Sequence, residues 1–340
     1  MKERSINRYE ANWLDRNHLG FINLVVYAFL PHTRAERDEL MVGQSLRADE
    51  MNALWPRPWL YMRTFILLLV ELGMLFVCWH YEQRYEASKL LPGLTVVGSL
   101  MVPVTLLVFF WEINKWRTLT LLDVLRYFLL GSCLAITITF VLEYLLQYML
   151  DHVKDWRLIF NKRGNYVTPL GVMSFGAVPL VVTAIVEELS KALATYVILL
   201  RHRKQCHILH GVLVGATVGA GFAVFESAGY ILMDVDNLLY GIIVRSLSAP
   251  ACHVAWGALM GGAVAWIAGG RMRLRTIMRP LTLMAGLVVC ALHFLWNHFL
   301  DSSAPVNRNV ELMVFTWFLL LLLIWQGLRE IEREQQRLTS

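Results

Sequence analysis

Apolar residues run in long blocks along this chain, with polar and charged residues confined mostly to short breaks between them. After a mixed first stretch, blocks of the length that crosses a bilayer recur at 64–80, 93–112, 126–149, 168–200, 208–233, 238–268, 280–300 and 309–328. A spanning helix needs about 20 predominantly apolar residues to cross roughly 30 Å of hydrocarbon. The pattern therefore predicts an all-α polytopic membrane protein, a bundle of about eight transmembrane helices. Residues 1–60 are different. Arg34-Ala-Glu-Arg-Asp-Glu39 and Arg47-Ala-Asp-Glu50 have helical charge spacing, and the run Phe21–Leu30 is too short to span. They are expected to form a cytoplasmic helical segment ahead of a membrane domain at 61–328, with 329–340 as a charged cytoplasmic tail. No cleavable signal peptide is expected, because Phe21–Leu30 is not followed by a small-residue cleavage site.

Composition agrees with this organisation: 57% of residues are hydrophobic against 17% charged, with mean hydropathy +0.50, far more apolar than a soluble domain. The net charge of +5 raises the question of nucleic acid. Its distribution argues against that, since the basic residues sit in clusters at helix ends and not on one soluble face. Lys115 and Arg117, then Arg201, Arg203 and Lys204, then Arg271, Arg273, Arg275 and Arg279, then Arg329, Arg333 and Arg337 each follow an even-numbered block. The excess of Lys and Arg marks these as the inside segments, with both termini cytoplasmic in a bacterial-type inner membrane. The segment Asp151–Tyr166, with Lys154, Arg157, Lys162 and Arg163, departs from that alternation. Cys78, Cys133, Cys252 and Cys290 fall within blocks and Cys206 in a connection, so free thiols are expected in place of a disulfide framework.

Chemistry concentrates in the second half. An ionisable group inside a span costs about 2.5–3.5 kcal/mol even on translocon scales, so it is read first as functional. The fourth block holds Glu187-Glu188-Leu-Ser-Lys191, the fifth Phe222-Ala-Val-Phe-Glu226, the sixth Arg245 and His253, and the seventh His293-Phe-Leu-Trp-Asn297. Glu187 with Lys191, Phe222 with Glu226, and His293 with Asn297 are i,i+4 pairs, each on one helix face. Glu188 lies about 100° round from Glu187, with Lys191 in reach of either. Counted from Leu200, Ile208, Gly269 and Pro280, the depths of Glu187, Glu226, His253 and His293 agree within about 8 Å at 1.5 Å per residue. One shared layer follows. Gly215, Gly219 and Gly221, and Gly257, Gly261 and Gly262, would let helix backbones close on it. Pro179 and Pro250 are expected to interrupt the ladder beside a wet cavity. By contrast, Glu112 in Phe110-Trp-Glu-Ile-Asn-Lys-Trp-Arg117 reads as interfacial, beside the belt residues Trp111 and Trp116. Phe222, Trp256 and Trp296 read as packing.

Taken in order, Glu187-Glu188-x-x-Lys191, Gly219-Ala-Gly-Phe222-Ala-Val-Phe-Glu226-Ser-Ala-Gly-Tyr230, Arg245 with Ala249-Pro-x-x-His253-x-x-Trp256, and His293-x-x-Trp296-Asn297 resemble the motifs of the PrsW family of intramembrane proteases. That family is similar in its motifs to the CAAX-processing and bacteriocin-processing membrane proteases. The resemblance covers roughly residues 93–300, with Gly257 standing where a Thr is expected. It implies hydrolysis of a peptide bond in a membrane-anchored protein or peptide, with the bilayer as the other partner and no nucleic acid. Carried over, Glu187 or Glu188 is the general base, Glu226 and His253 complete the water site, and His293 with Asn297 holds the oxyanion. Lys191 and Arg245 support a charged carboxylate. A metal-independent glutamic mechanism with no cofactor is the expectation, because each helix offers one polar patch and Lys191 competes for the carboxylates. The alternative is zinc held by Glu226, His253 and His293. A proton-coupled transporter or a non-catalytic scaffold are the rival readings. No repeat links the two halves, and no motif carboxylate or histidine is missing.

Overall fold

The computed structural model describes residues 59–82, 90–152, 167–168, 171–172, 177–204, 206–233, 249–301 and 307–339. Ten α-helices are described: α1 (Leu60–Glu82), α2 (Leu91–Ile113), α3 (Leu121–Leu130), α4 (Ile136–His152), α5 (Ala177–Arg201), α6 (Ile208–Met233), α7 (Ala249–Ala268), the single turn α8 (Leu274–Ile277), α9 (Pro280–Asp301) and α10 (Asn307–Thr339). A π-helical turn, Gly131–Ala135, joins α3 to α4 as one rod. Each long apolar block of the sequence is thus occupied by a helix. Five helical rods are long and apolar enough to cross a membrane by length and composition: 91–113, 121–146, 208–232, 280–299 and 308–338. Of the other described helices, α1 and α5 are long, α5 carrying the three charges Glu187, Glu188 and Lys191, and α7 holds the shorter apolar run Cys252–Ala268. The protein is a multi-pass membrane protein. The expected span at 168–200 begins later, because Val167–Thr168 and Gly171–Val172 pair as a two-residue antiparallel hairpin. Thr168 precedes Pro169, whose ring disfavours the helical region for the residue before it.

α6 is the central post of the bundle. Of its apolar window 89% is buried, against 22% for the α3–α4 rod, which places the latter at the periphery. The closest partner of α6 is α7, which runs antiparallel to it, and glycine permits the approach. A Cβ at Gly211 would strike the carbonyl of Gly261, one at Gly215 that of Gly257, and one at Gly219 would lie 2.5 Å from that of His253. Glycine inside a helix costs about 0.5–1 kcal/mol relative to Ala. Here backbone-to-backbone contact in a medium with little hydrophobic drive between helices compensates. The Gly257 departure from the family pattern has the same cause, since a Thr Cβ would meet the Gly215 carbonyl.

On the other side of α6, Ser132 in the π turn donates to Gly221 O at 2.9 Å, and a Cβ at Gly221 would meet Ser132. The turn brings Ala135, Ile136 and Phe140 onto Phe222, one turn from Glu226. Pro179 and Pro250 fall in the first turns of α5 and α7 as described, where a missing N–H costs little. The residues just before both helices, 173–176 and 234–248, lie outside the described residues.

The basic clusters gather at one end. α7 ends in Gly269 and Gly270 at φ 61° and 83°, and the chain then pairs with the α5–α6 connection: Cys206 N donates to Gly270 O at 3.2 Å and Met272 N to Arg203 O at 2.8 Å. Arg201, Arg203, Lys204, Arg271 and Arg273 are thereby brought together, all exposed. Cys133, Cys206, Cys252 and Cys290 are free thiols, as expected. Burial pushes the Cys206 thiol up to about 12, so it stays protonated.

Glu112 is not merely interfacial. Its Oε1 accepts from the backbone N–H of Trp59 at 3.1 Å and Leu60 at 2.9 Å, and its Oε2 from Tyr61 at 2.9 Å. It caps the start of α1 from the end of α2, satisfying orphan donors with a carboxylate placed where the helix dipole favours negative charge. Glu112→Leu is expected to destabilise the bundle by roughly 2–3 kcal/mol, through three unpaired donors and a lost cap. A thermal midpoint in detergent unchanged from wild type would refute that role.

Candidate active site

Four helices deliver the polar layer. Glu187, Glu188 and Lys191 come from α5, Glu226 from α6, His253 from α7 and His293 from α9. Glu187, Glu188, Lys191, His253 and His293 are all buried, at 8%, 6%, 2%, 2% and 1% exposure. Glu226 has the most accessible side chain of the group, at 16%. The antiparallel pairing of α6 and α7 explains one key approach. Cα–Cβ bonds tilt toward the N-terminus of their own helix. Glu226 and His253 therefore lean toward each other, and Glu226 Oε2 lies 2.9 Å from His253 Nε2.

Lys191 resolves the i,i+3 against i,i+4 choice in favour of Glu188. Its ammonium donates to Glu188 Oε1 at 2.5 Å and sits 3.0 Å from His253 Nδ1, over the face of Phe222 at 4.6 Å from the ring centre. The same Glu188 Oε1 is 2.8 Å from His293 Nδ1. Glu188 is thus a hub between a lysine and a histidine, and Glu187 is left outside that network. Glu187 Oε2 is buried without a hydrogen-bond partner among the described residues, 3.7 Å from His293 Nε2. The imidazoles stand perpendicular with centres 5.0 Å apart, and Trp256 stacks on His293 at 4.7 Å and 25°. The indole N–H of Trp256 is buried with no acceptor among the described residues.

An unpaired carboxylate oxygen beside a histidine nitrogen is costly as an end state. As half of a metal site it is ordinary. Ligand atoms of Glu187, His253 and His293 all lie within 4.8 Å of one another. Two ligands each 2.0–2.2 Å from a tetrahedral ion stand about 3.4 Å apart. The Glu187–His293 separation is close to that. His293 also has the tautomer such a site needs, because an Nδ1–H given to Glu188 leaves the Nε2 lone pair for an ion. Glu187 Oε2 and His293 Nε2 therefore fit a metal site, whereas His253 has Nδ1 3.0 Å from Lys191 Nζ and Nε2 2.9 Å from Glu226 Oε2, so its ligation requires one of those contacts to give way.

The model of the family described as PrsW family intramembrane metalloprotease matches residues 120–324, more than half of the chain. The chain belongs to the PrsW family. No curated protein sequence and no solved structure gives a match. The PrsW match leaves α1 and α2 outside it and includes every helix that carries a member of the polar layer.

Asn297 lies one turn beyond His293, half-buried, with no hydrogen bond among the described residues. Arg245 lies outside the described residues. Reading the blocks for chemistry missed Glu143 on α4. It is near enough to Glu187 and Glu226 for the three carboxylates to repel one another. Thr139, one turn before it, and Thr183, one turn before Glu187, carry hydroxyls with no partner among the described residues. The signal that would have found Glu143 is the rule applied to the other blocks, that a carboxylate inside a span is functional by default.

Proposed function

We propose that this PrsW protein hydrolyses a peptide bond of a membrane-anchored protein or peptide, with a zinc ion held by Glu187, His253 and His293 and with Glu226 as general base. The observation that carries the reading is the buried, unpartnered Glu187 Oε2 facing His293 Nε2. When bound, the ion would supply Lewis-acid polarisation of the scissile carbonyl and an acidified water. Glu188 accepts the Nδ1 proton of His293 and holds that ring in orientation. Lys191 keeps Glu188 charged at depth, where an isolated carboxylate would be strongly disfavoured. Glu226, whose side chain is more exposed than those of Glu187 and Glu188, would take a proton from water and return it to the leaving amine. Asn297, one turn beyond His293, would orient the carbonyl. Glu143, Thr139 and Thr183 would add polar partners for water or substrate backbone. The basic end of the bundle, with the connections of α5–α6 and α7–α9 joined there, supports an inner-membrane protein with both termini cytoplasmic.

One observation favours a metal-free, glutamic-type variant of the same hydrolysis. Lys191 lies 3.0 Å from His253 Nδ1, and an ammonium there leaves the neutral ring with its proton on Nε2, a donor and not a ligand. Glu187 or Glu226 would then activate water alone, with His253, His293 and Asn297 binding the oxyanion.

Elemental analysis of protein purified in detergent, with cleavage assayed after exhaustive chelation, separates the two. Near-stoichiometric zinc, with activity lost on chelation and restored by zinc alone, is the expected result. Full activity in metal-free protein would replace it with the glutamic mechanism. The substrate is identified by comparing membranes that contain wild type with membranes that contain a Glu187→Gln, Glu188→Gln variant, and looking for a fragment formed only by the former.

A further inference from the structure

Away from the polar layer, α7, α9 and α10 leave a groove of about 400 Å³ between them, within the range of small-molecule sites. Its walls are Leu259, Ala263 and Trp266 on α7, Val288 on α9, and Leu322 and Trp325 on α10, with Gln326 as the polar lining residue. The groove lies toward the basic end of the bundle: Trp266 is close to the end of α7, α9 begins at Pro280, and α10 continues past Gln326 into its charged tail.

Two guanidinium groups lie beside lining residues at that end. Arg329, exposed, lies over the Trp325 ring at 4.7 Å, a cation–π contact that holds it beside the groove. Arg279, also exposed, donates to Ile267 O at 2.7 Å, next to Trp266 in sequence. That bond uses one of five guanidinium N–H donors and leaves the others for a ligand. Glu330, next to Arg329 in sequence, is engaged elsewhere. It accepts from Ile208 N at 2.8 Å and pairs with His207 at 3.3 Å.

We infer that this groove is a binding site for an anionic phospholipid, with one acyl chain along the apolar walls and the phosphate between Arg279 and Arg329. Charge complementarity selects the occupant. A molecule with a hydrocarbon tail and an anionic head matches apolar walls inside the bilayer and two arginines at its edge, and guanidinium recognises phosphate oxygens in paired geometry. Basic pockets at the ends of transmembrane helices bind anionic headgroups by the same logic. A transmembrane substrate helix would match the walls but would leave the arginines without a counter-charge. The inference is independent of the hydrolytic mechanism, since none of these residues belongs to the polar layer.

The test exchanges the full chain into nanodiscs of equal phosphatidylglycerol and phosphatidylcholine and identifies the retained lipid by native mass spectrometry. Wild type is expected to retain phosphatidylglycerol preferentially. The R279Q/R329Q double variant should lose that enrichment by roughly tenfold or more, as expected for two arginines near an anionic head. R337Q, at an exposed position paired with Glu334, should not change it. Ala263→Trp, which fills the groove, should lower retention of both lipids. Equal retention of the two lipids by wild type, or unchanged enrichment in R279Q/R329Q protein whose thermal midpoint is normal, overturns the inference. So does a photocross-linker at position 266 that captures a protein segment and no lipid.

Discussion

With the ligand set proposed above, Glu226→Gln is expected to retain added zinc and lose cleavage, whereas Glu187→Gln and His293→Ala are expected to lose both. The difference follows from position. Glu226 approaches His253 from the accessible side of the cluster, at 16% side-chain exposure, while Glu187 Oε2 and His293 Nε2 face each other within it. Removing a positioned base costs about 10²–10⁴-fold in rate and leaves the ligands in place. Removing one of three ligands strips the ion and with it any catalysis that depends on it. Glu188→Gln should fall between these. Its carboxylate touches His293 Nδ1 and not the space the ion would fill, so metal affinity should fall by about 10–100-fold while some cleavage returns at high zinc. The measurements are zinc content and single-turnover cleavage on each purified variant. Near-normal turnover by Glu226→Gln would remove it from the role of base, and full zinc content in His293→Ala would remove the proposed ligand set.

Much of this was legible before any coordinates, and the reasons can be traced to particular residues. The eight blocks became helices because backbone groups inside a bilayer leave few alternatives to helix. The common depth of Glu187, Glu226, His253 and His293 was legible because helical rise is constant. The structure brings the four together. Spacing alone left open which carboxylate Lys191 would choose, since i,i+3 and i,i+4 partners are equally near along a helix; the decision came from His293 on another helix, which also binds Glu188. Glu112 was misread because its partners are backbone N–H groups more than 50 positions earlier, and no side-chain pattern announces those. The Thr168–Gly171 hairpin was hidden inside an apolar block whose proline was not weighed as a helix stop.

Gly257→Thr, the substitution that would restore the expected family residue, should impair this protein. A Cβ at position 257 meets the carbonyl of Gly215, its carbon at 3.1 Å and Gly219 Cα at 3.3 Å. All of these are backbone atoms, so relief requires α6 and α7 to separate as units. Overpacking of this kind typically costs about 1–3 kcal/mol. The larger effect is on chemistry. α6 carries Glu226 and α7 carries His253, whose 2.9 Å approach exists only because the two backbones touch at Gly211, Gly215 and Gly219. A displacement of about 1 Å between reacting groups can cost 10²-fold in rate, so cleavage should fall by about that factor along with a lowered thermal midpoint. Gly286→Ala on α9 supplies the control. Its Cβ would find only the end of Met260 at 3.6 Å, an ordinary contact, and the helix gains the propensity difference between Gly and Ala. That variant should cleave normally with an equal or higher midpoint. If Gly257→Thr does the same, the glycine seam is not what holds base and histidine in register, and the spacing of the site must be set from the α5 and α9 side instead.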